Sequence, residues 1–304
     1  MEVKVKKPDF FVVGAPKCGT TAMCDYLAQH PEIFFSPIKE PNYFGKDLSD
    51  CQELEVKNLE EYLNLFRDAG NKMSGEGSVW SLFSKTAAKE IHDFNPQAKI
   101  IIMLRKPVDV VYSLHNQLVY DGYNEDIEDF ELAIAAENER RKGLRIPIGC
   151  RRPHALLYTD VVKFTDQVQR YIDTFERKNI HIIIYDDFKS DTLKVYRSTL
   201  EFLGVSTDFT PKIEVINPSK RVRIKSLQNF LINRPPLIKS LGILFIPRPL
   251  RYLMFMTVKT LNTRYEARPP IAPELRKRLQ AEFAPEVERL SQLLARDLTH
   301  WNKA

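Results

Sequence analysis

Asp9-Phe10-Phe11-Val12-Val13-Gly14-Ala15-Pro16-Lys17-Cys18-Gly19-Thr20-Thr21 reads as a short apolar strand, Phe10 to Val13, that breaks into a glycine-bracketed loop and resumes as a helix. The loop carries one lysine and two hydroxyls. The helix behind it points its N-terminus back at the loop. Unpaired backbone N–H groups and the positive end of the helix dipole make such a junction an anion site. A solvated lysine in an ordinary Gly/Pro turn is the plainer reading. The agreement of strand, loop and helix favours a phosphate or sulfate ester.

The residue order separates this loop from that of a nucleotide kinase. A Walker A loop reads G-x-x-x-x-G-K-[ST], with the lysine after the second glycine and the next hydroxyl on Mg²⁺. Gly14 and Gly19 keep that spacing, but the order is G-x-x-K-x-G-T-T. Lys17 sits inside the loop and Thr20 stands where the kinase lysine would be. A triphosphate needs lysine plus metal. A sulfuryl group carries less charge, so one lysine and backbone amides suffice without a metal.

Outward from the loop, strand patterns alternate with helical ones. This predicts an α/β, P-loop-like three-layer fold, a central parallel sheet flanked by helices. Met23 and Leu27 share a helix face, and His30-Pro31 should end that helix. Asn58 and Glu61 read as a capping box ahead of the stripe Leu59, Tyr62, Leu63 and Phe66. Ser84 can cap a short helix ending before Asn95-Pro96. Lys99 to Leu104 is a buried-strand run, and Pro107 suits the first turn of the next helix. Phe164, Val168, Tyr171, Ile172 and Phe175 mark a helix and Ile180 to Tyr185 a strand. Ser190 then opens a helix that Gly204 terminates. Leu275, Leu279, Phe283, Val287, Leu290 and Leu294 give a C-terminal helix placed at 273–301.

The 304 residues, 43% apolar and 28% charged, fit an ordinary globular chain. Without a Gly/Ser-rich linker or a repeat, one domain over 1–304 is expected, with 1–8 a charged stub and 206–272 a variable basic and apolar region. The four cysteines, Cys18, Cys24, Cys51 and Cys150, show no metal-ligand spacing. No metal is expected, and the thiols read as reduced in a cytoplasmic protein. Cys18 at a helix N-terminus beside Lys17 is weighed as a low-pKa thiol against a small loop filler. From Lys220 to Arg268, basic residues far outnumber acids. A solvated face, an anionic ligand or an acidic membrane surface would each explain this. The apolar stretches Leu241–Ile246 and Leu250–Met256 suit membrane-surface contact or an acceptor cleft, and core burial equally well. No recognised nucleic-acid motif accompanies the charge, so a nucleic-acid role is not expected.

Arg105 ends the strand Ile100 to Leu104, where an α/β sheet gathers its ligands. A guanidinium fork there suits a phosphate, and Ser113 lies two turns into the next helix. Together with the first loop, these residues resemble the sulfotransferases that use 3′-phosphoadenosine 5′-phosphosulfate (PAPS), in the branch of the heparan sulfate sulfotransferases and their bacterial relatives. The likeness continues through Lys39-Glu40-Pro41-Asn42-Tyr43-Phe44, Gly75-Glu76-Gly77-Ser78-Val79-Trp80, Leu104-Arg105-Lys106-Pro107, and Glu288-Arg289-Leu290 to Trp301.

The resemblance implies that Pro16, Lys17, Cys18, Gly19, Thr20 and Thr21 hold the 5′-phosphosulfate. It implies that Arg105 and Ser113 hold the 3′-phosphate, with Lys220 and Arg221 as lesser candidates in a loosely matching Asn217–Arg221. Lys17 and Glu40 are then catalytic, Lys17 at the leaving oxygen and Glu40 as general base. His115 is a rival base. Many heparan-type members carry lysine where Gly77 stands, so this chain lacks that cation. Tyr43 and Trp80 are placed either in the core or stacked on an acceptor ring.

The expected activity is transfer of a sulfuryl group from PAPS to a hydroxyl or amine of a small-molecule or carbohydrate acceptor. Adenosine 3′,5′-bisphosphate (PAP) would be released. Acceptor choice is assigned to loops at 42–56, 116–128 and 226–268. The alternatives are an ATP-dependent P-loop kinase and a nucleotide-binding module without catalysis.

Overall fold

Two uninterrupted apolar runs, β1 (Phe10–Gly14) and β4 (Lys99–Leu104), pair in parallel at the middle of a five-stranded sheet. β2 (Ile33–Phe35), β3 (Met73–Glu76) and β5 (Ile180–Ile184) complete it in the order β2-β3-β1-β4-β5, every neighbour parallel. The computed structural model describes residues 6–51, 56–213, 220–224, 227, 250, 254, 257–258, 260–266 and 269–303. The stub 1–5, Asn217–Ser219, the stretch Leu241–Ile246 and most of 225–259 lie outside the described residues. The membrane-surface reading and most of the basic run fall there too.

Strands covered on both faces lose the polar alternation of a half-exposed sheet. Phe10–Val13 and Ile100–Leu104 are accordingly all buried. The connections cover them with helices: α1 (Thr20–Ala28), α2 (Leu59–Asn64), α3 (Ala87–Phe94), α4 (Pro107–Asp121), α5 (Phe130–Ala135), α6 (Glu137–Arg140), α7 (Tyr158–Val161), α8 (Phe164–Thr174), α9 (Tyr185–Ser190), α10 (Thr192–Leu203) and α11 (Pro273–Leu294). A two-stranded antiparallel ribbon, β6 (Lys220–Val222) with β7 (Thr263–Tyr265), lies apart from the sheet.

The chain leaves β1 through α1 toward β2 at one edge. It leaves β4 through α4 toward β5 at the other. Neighbouring strands whose connections depart in opposite directions open a crevice at their carboxyl ends, where α/β folds bind ligands. The Lys17 loop follows β1 and Arg105 follows β4, so the topology alone puts both at that crevice.

Several element ends differ from the sequence expectation. Tyr185 is not the last residue of β5 but the first of α9. Ser190 closes α9, and Asp191 is the residue that caps α10, its carboxylate accepting from the Lys194 N–H at 3.0 Å. Asp and Ser are comparable caps, and the extra short helix decides between them. The C-terminal helix ends at Leu294, where Ala295 turns left-handed (φ 49°) and a separate 3₁₀ turn, Thr299–Asn302, follows. Trp301 Nε1 donates to Asp186 at 2.6 Å, and Arg296 grips Asp187 through two bonds of 2.5 and 2.8 Å. Both contacts fasten the C-terminus to α9. Asn58 caps α2 as expected (Glu61 N–H to Oδ1, 2.8 Å), while the Glu61 carboxylate reaches back to the Lys57 N–H, one residue beyond the N-cap N–H of a capping box.

Candidate active site

The loop between β1 and α1 folds tightly. The Cys18 N–H donates to the Ala15 carbonyl at 3.3 Å, Ala15 N–H to Met103 O of β4 at 2.8 Å, and Lys17 takes a left-handed φ of 65°. Gly19, at φ 90°, stands at the N-cap of α1. A Cβ there would sit 3.0 Å from the Tyr185 ring, so both the backbone angle and the close approach call for glycine. The first N–H groups of α1 have no acceptor within the helix, and no acid stands in its first turn. The dipole end is left uncompensated, which suits an anion.

Cys18 is not an activated thiol. Burial pushes its pKa up to about 12, outweighing the nearby Arg105 and Lys17 charges. The thiol fills the loop from beneath, with its Sγ 3.5 Å from the Pro16 carbonyl.

Arg105 meets this loop directly. Its Nη1 donates to the Lys17 carbonyl at 3.3 Å. The guanidinium lies 4.6 Å from the centre of the Tyr185 ring and 3.8 Å from an Asp109 carboxylate oxygen. Asp109 also receives Arg276 of α11 at 3.0 Å. Tyr185 thus touches both Gly19 and Arg105, and a ring face under a guanidinium contributes ~0.5–2 kcal/mol. No sequence motif pointed to Tyr185. Its only signal was its place at the end of a strand run.

Ser113 is buried on α4. Gln117, four residues on, shares its face, and Lys17 Nζ donates to Gln117 Oε1 at 3.5 Å. Tyr120 continues the same face and hydrogen-bonds Thr263 of β7 at 2.8 Å. The face of α4 that carries Ser113 therefore brings Gln117 to the loop and supports the β6–β7 ribbon. Lys220 and Arg221 enter this neighbourhood through the backbone of β6, their side chains lying outside the described residues.

The Glu40 turn docks from the β3 side. Lys39 Nζ donates to Thr21 Oγ1 of α1 at 3.3 Å. Glu40 faces Arg152 at 3.8 Å, a partner that no sequence pattern announced. Glu76, at the end of β3, is buried and accepts from Ser78 Oγ at 2.8 Å. Burial lifts its carboxyl to about 8 despite the Ser78 bond, and the charge of Glu40 adds to the rise.

The folded chain keeps a proton on Glu76 that the unfolded chain loses near pH 4.5. Stability should therefore fall as pH rises from about 4.5 to about 8 and then level off. Glu76→Gln should flatten that decline and melt higher than the parent at pH 8–9 but not at pH 4.5. Thermal melts across pH check this.

The structure decides readings that the sequence left open. His115 is a core residue, not a base in the cleft. Its Nε2 bonds the Ile127 carbonyl at 2.9 Å, Phe130 and Tyr158 pack on the ring, and burial lowers its pKa. Trp80 is buried against Phe83 and His154, and Tyr43 stacks on Tyr62 at 4.5 Å, so both rings serve packing. At position 77 an added Cβ would come 2.8 Å from Cys24 Sγ of α1. The glycine lets the chain after β3 pass close to α1, and any side chain there would have to displace the Cys24 thiol.

Residues 7–240 match the family model of the sulfotransferase domain, and the chain belongs to that family. It is 30% identical over 250 residues to human carbohydrate sulfotransferase 15, covering 65% of this chain and 44% of that protein. Over 207 residues it is 34% identical to mouse bifunctional heparan sulfate N-deacetylase/N-sulfotransferase 4, covering 66% and 23%. The chain spans less than half the length of these curated relatives. A sulfotransferase crystal structure from Alicyclobacillus acidocaldarius superposes with a TM-score of 0.71 at 29% identity, covering 98% of this chain and all of the other. Membership in this enzyme family goes with sulfuryl transfer and sets aside the ATP-dependent kinase alternative.

Proposed function

We propose that this protein transfers the sulfuryl group of PAPS to a hydroxyl or amine of a carbohydrate acceptor, releasing PAP. The observation that carries the reading is the bond from Arg105 Nη1 to the Lys17 carbonyl. It joins a guanidinium and an anion loop into one site for a ligand with two separated phosphates. The loop has the donors for the 5′ end: Lys17, the N–H groups opening α1, and the hydroxyls of Thr20 and Thr21. Arg105 and the Ser113 face of α4 have those for the 3′ end. PAPS supplies the sulfuryl group on a phosphate that leaves readily, so positioning and electrostatics dominate the rate. Glu40 accepts the proton of the acceptor hydroxyl or amine, and Lys17 stabilises charge gathering on the departing oxygen.

The carbohydrate acceptor is supported by the relatives, carbohydrate and heparan sulfate sulfotransferases by name. Arg152 beside Glu40 would suit an acceptor carrying negative charge. Among the described residues the thiols of Cys18 and Cys24 form no disulfide, which accords with a reducing compartment such as the cytoplasm.

Thermal shift separates this reading from its rivals. PAP should raise the melting temperature more than ATP with Mg²⁺ does, and a larger shift with ATP would count against the proposal. Arg105→Ala should weaken PAP by ~10–100-fold, as loss of a charged hydrogen bond of about 1.5–3 kcal/mol implies. Adenosine 5′-phosphate should be weakened far less. Equal weakening of both nucleotides would remove Arg105 from the 3′-phosphate.

A further inference from the structure

We infer that Glu76 and Ser78 are positioning residues that set the turn presenting Glu40, an inference that rests on the base role proposed for Glu40. The turn needs holding. Glu40 (φ 53°) and Asn42 (φ 50°) both occupy the left-handed region on either side of Pro41. Residues with a Cβ stay there only where the surroundings fix them. Part of the fixing is internal, since Asn42 Nδ2 donates to the Glu40 carbonyl at 2.6 Å. The rest comes from the sheet. The Asn42 N–H donates to Ser78 Oγ at 3.0 Å, and that hydroxyl donates its own proton to Glu76 Oε2 at 2.8 Å.

Glu76 gives the relay its direction. A serine hydroxyl left alone rotates freely. With its proton pinned on the Glu76 carboxyl, it presents a lone pair to the Asn42 N–H. Glu76 pairs in register with Phe11 of β1, so the turn is referenced to the strand that leads into the Lys17 loop. The Lys39–Thr21 bond ties the other end of the turn to α1. Base and anion loop thereby share one rigid frame, which transfer chemistry needs, because small misplacements of a reacting group cost large factors in rate. Glu40, Cys24 of α1, Tyr62 of α2 and Tyr171 of α8 are titratable groups disposed around Glu76.

Hydrogen exchange on the full chain tests the relay without any acceptor. Ser78→Ala should speed exchange of the Asn42 amide by about tenfold or more, as loss of its one acceptor implies. Exchange in α1 and β4 should not change. Glu76→Leu should do the same, and Glu76→Gln, which keeps an acceptor oxygen, should restore most of the protection. An Asn42 amide indifferent to Ser78→Ala overturns the inference.

Kinetics supplies the second arm, with radiolabelled PAPS as donor and desulfated heparan sulfate as acceptor probe. Ser78→Ala should lower kcat with the KM for PAPS unchanged. It should cost nothing further in a Glu40→Gln background, because a missing base cannot be misplaced. Equal losses in both backgrounds would make Ser78 merely structural. Full turnover in Glu40→Gln alone would overturn the base role instead, leaving the exchange result to decide the relay.

Discussion

Glu40→Gln is expected to bind PAP as the parent does and to lose turnover by ~10²–10⁴-fold, the usual worth of a positioned general base. The substitution is nearly isosteric and leaves the turn's own bonds in place, since these use the Glu40 carbonyl and the Asn42 N–H rather than the carboxylate. What goes is the capacity to take a proton. Glu40 is half-buried and has one guanidinium, Arg152, at 3.8 Å. That separation is long for a charge-assisted bond, so the carboxylate keeps lone pairs to offer an acceptor. Steady-state kinetics with radiolabelled PAPS, beside PAP titration by calorimetry, checks both halves. Turnover preserved with desulfated heparan sulfate would remove the base role. Lost PAP affinity would mean that the turn had collapsed.

The fold was legible in the sequence wherever one signal sufficed. Strands buried on both faces announce themselves as continuous apolar runs, and the β4 boundaries come out as read, Lys99 to Leu104. β2 has three residues and carries no pattern of its own, so its edge position was not readable. The short helices α5, α6 and α7 were missed for a similar reason. They are held by tertiary contacts, above all the buried Glu125–Arg140 pair at 2.7 Å with Tyr158 on the same carboxylate at 2.6 Å, rather than by a long amphipathic stripe.

The site divides along the same line. Lys17, Arg105 and Glu40 sit in local motifs and could be nominated from spacing and resemblance. Tyr185, Gln117 and Arg152 reach the loop, the guanidinium and Glu40 from distant segments, and no local pattern encodes such meetings. Cys18 shows the converse: its sequence neighbours allow a lowered pKa beside a loop-filling role, and the desolvation that decides for the filler belongs to the packed loop alone.

Lys17→Met is the sharpest test of how the site stabilises charge. The expected result is a fall in kcat of ~10²–10³-fold, the range found when one preorganised donor to a developing anion is removed. PAP affinity should fall much less. The argument turns on where the charge appears. Before transfer the bridging oxygen bears little of it, so Lys17 gains most as that oxygen departs, and an interaction made mainly in the transition state reads out in kcat. The backbone holds the lysine ready, because its left-handed φ of 65° lies in the fold that lets Arg105 reach the Lys17 carbonyl. Methionine keeps the length and packing of the stem without the ammonium. Lys17→Arg restores a positive charge as a planar fork in place of a compact ammonium and should recover activity only in part. Single-turnover measurements at saturating PAPS isolate the chemical step. If the whole loss in Lys17→Met appeared as weaker PAPS binding with an unchanged single-turnover rate, Lys17 would be a ligand-holding residue alone.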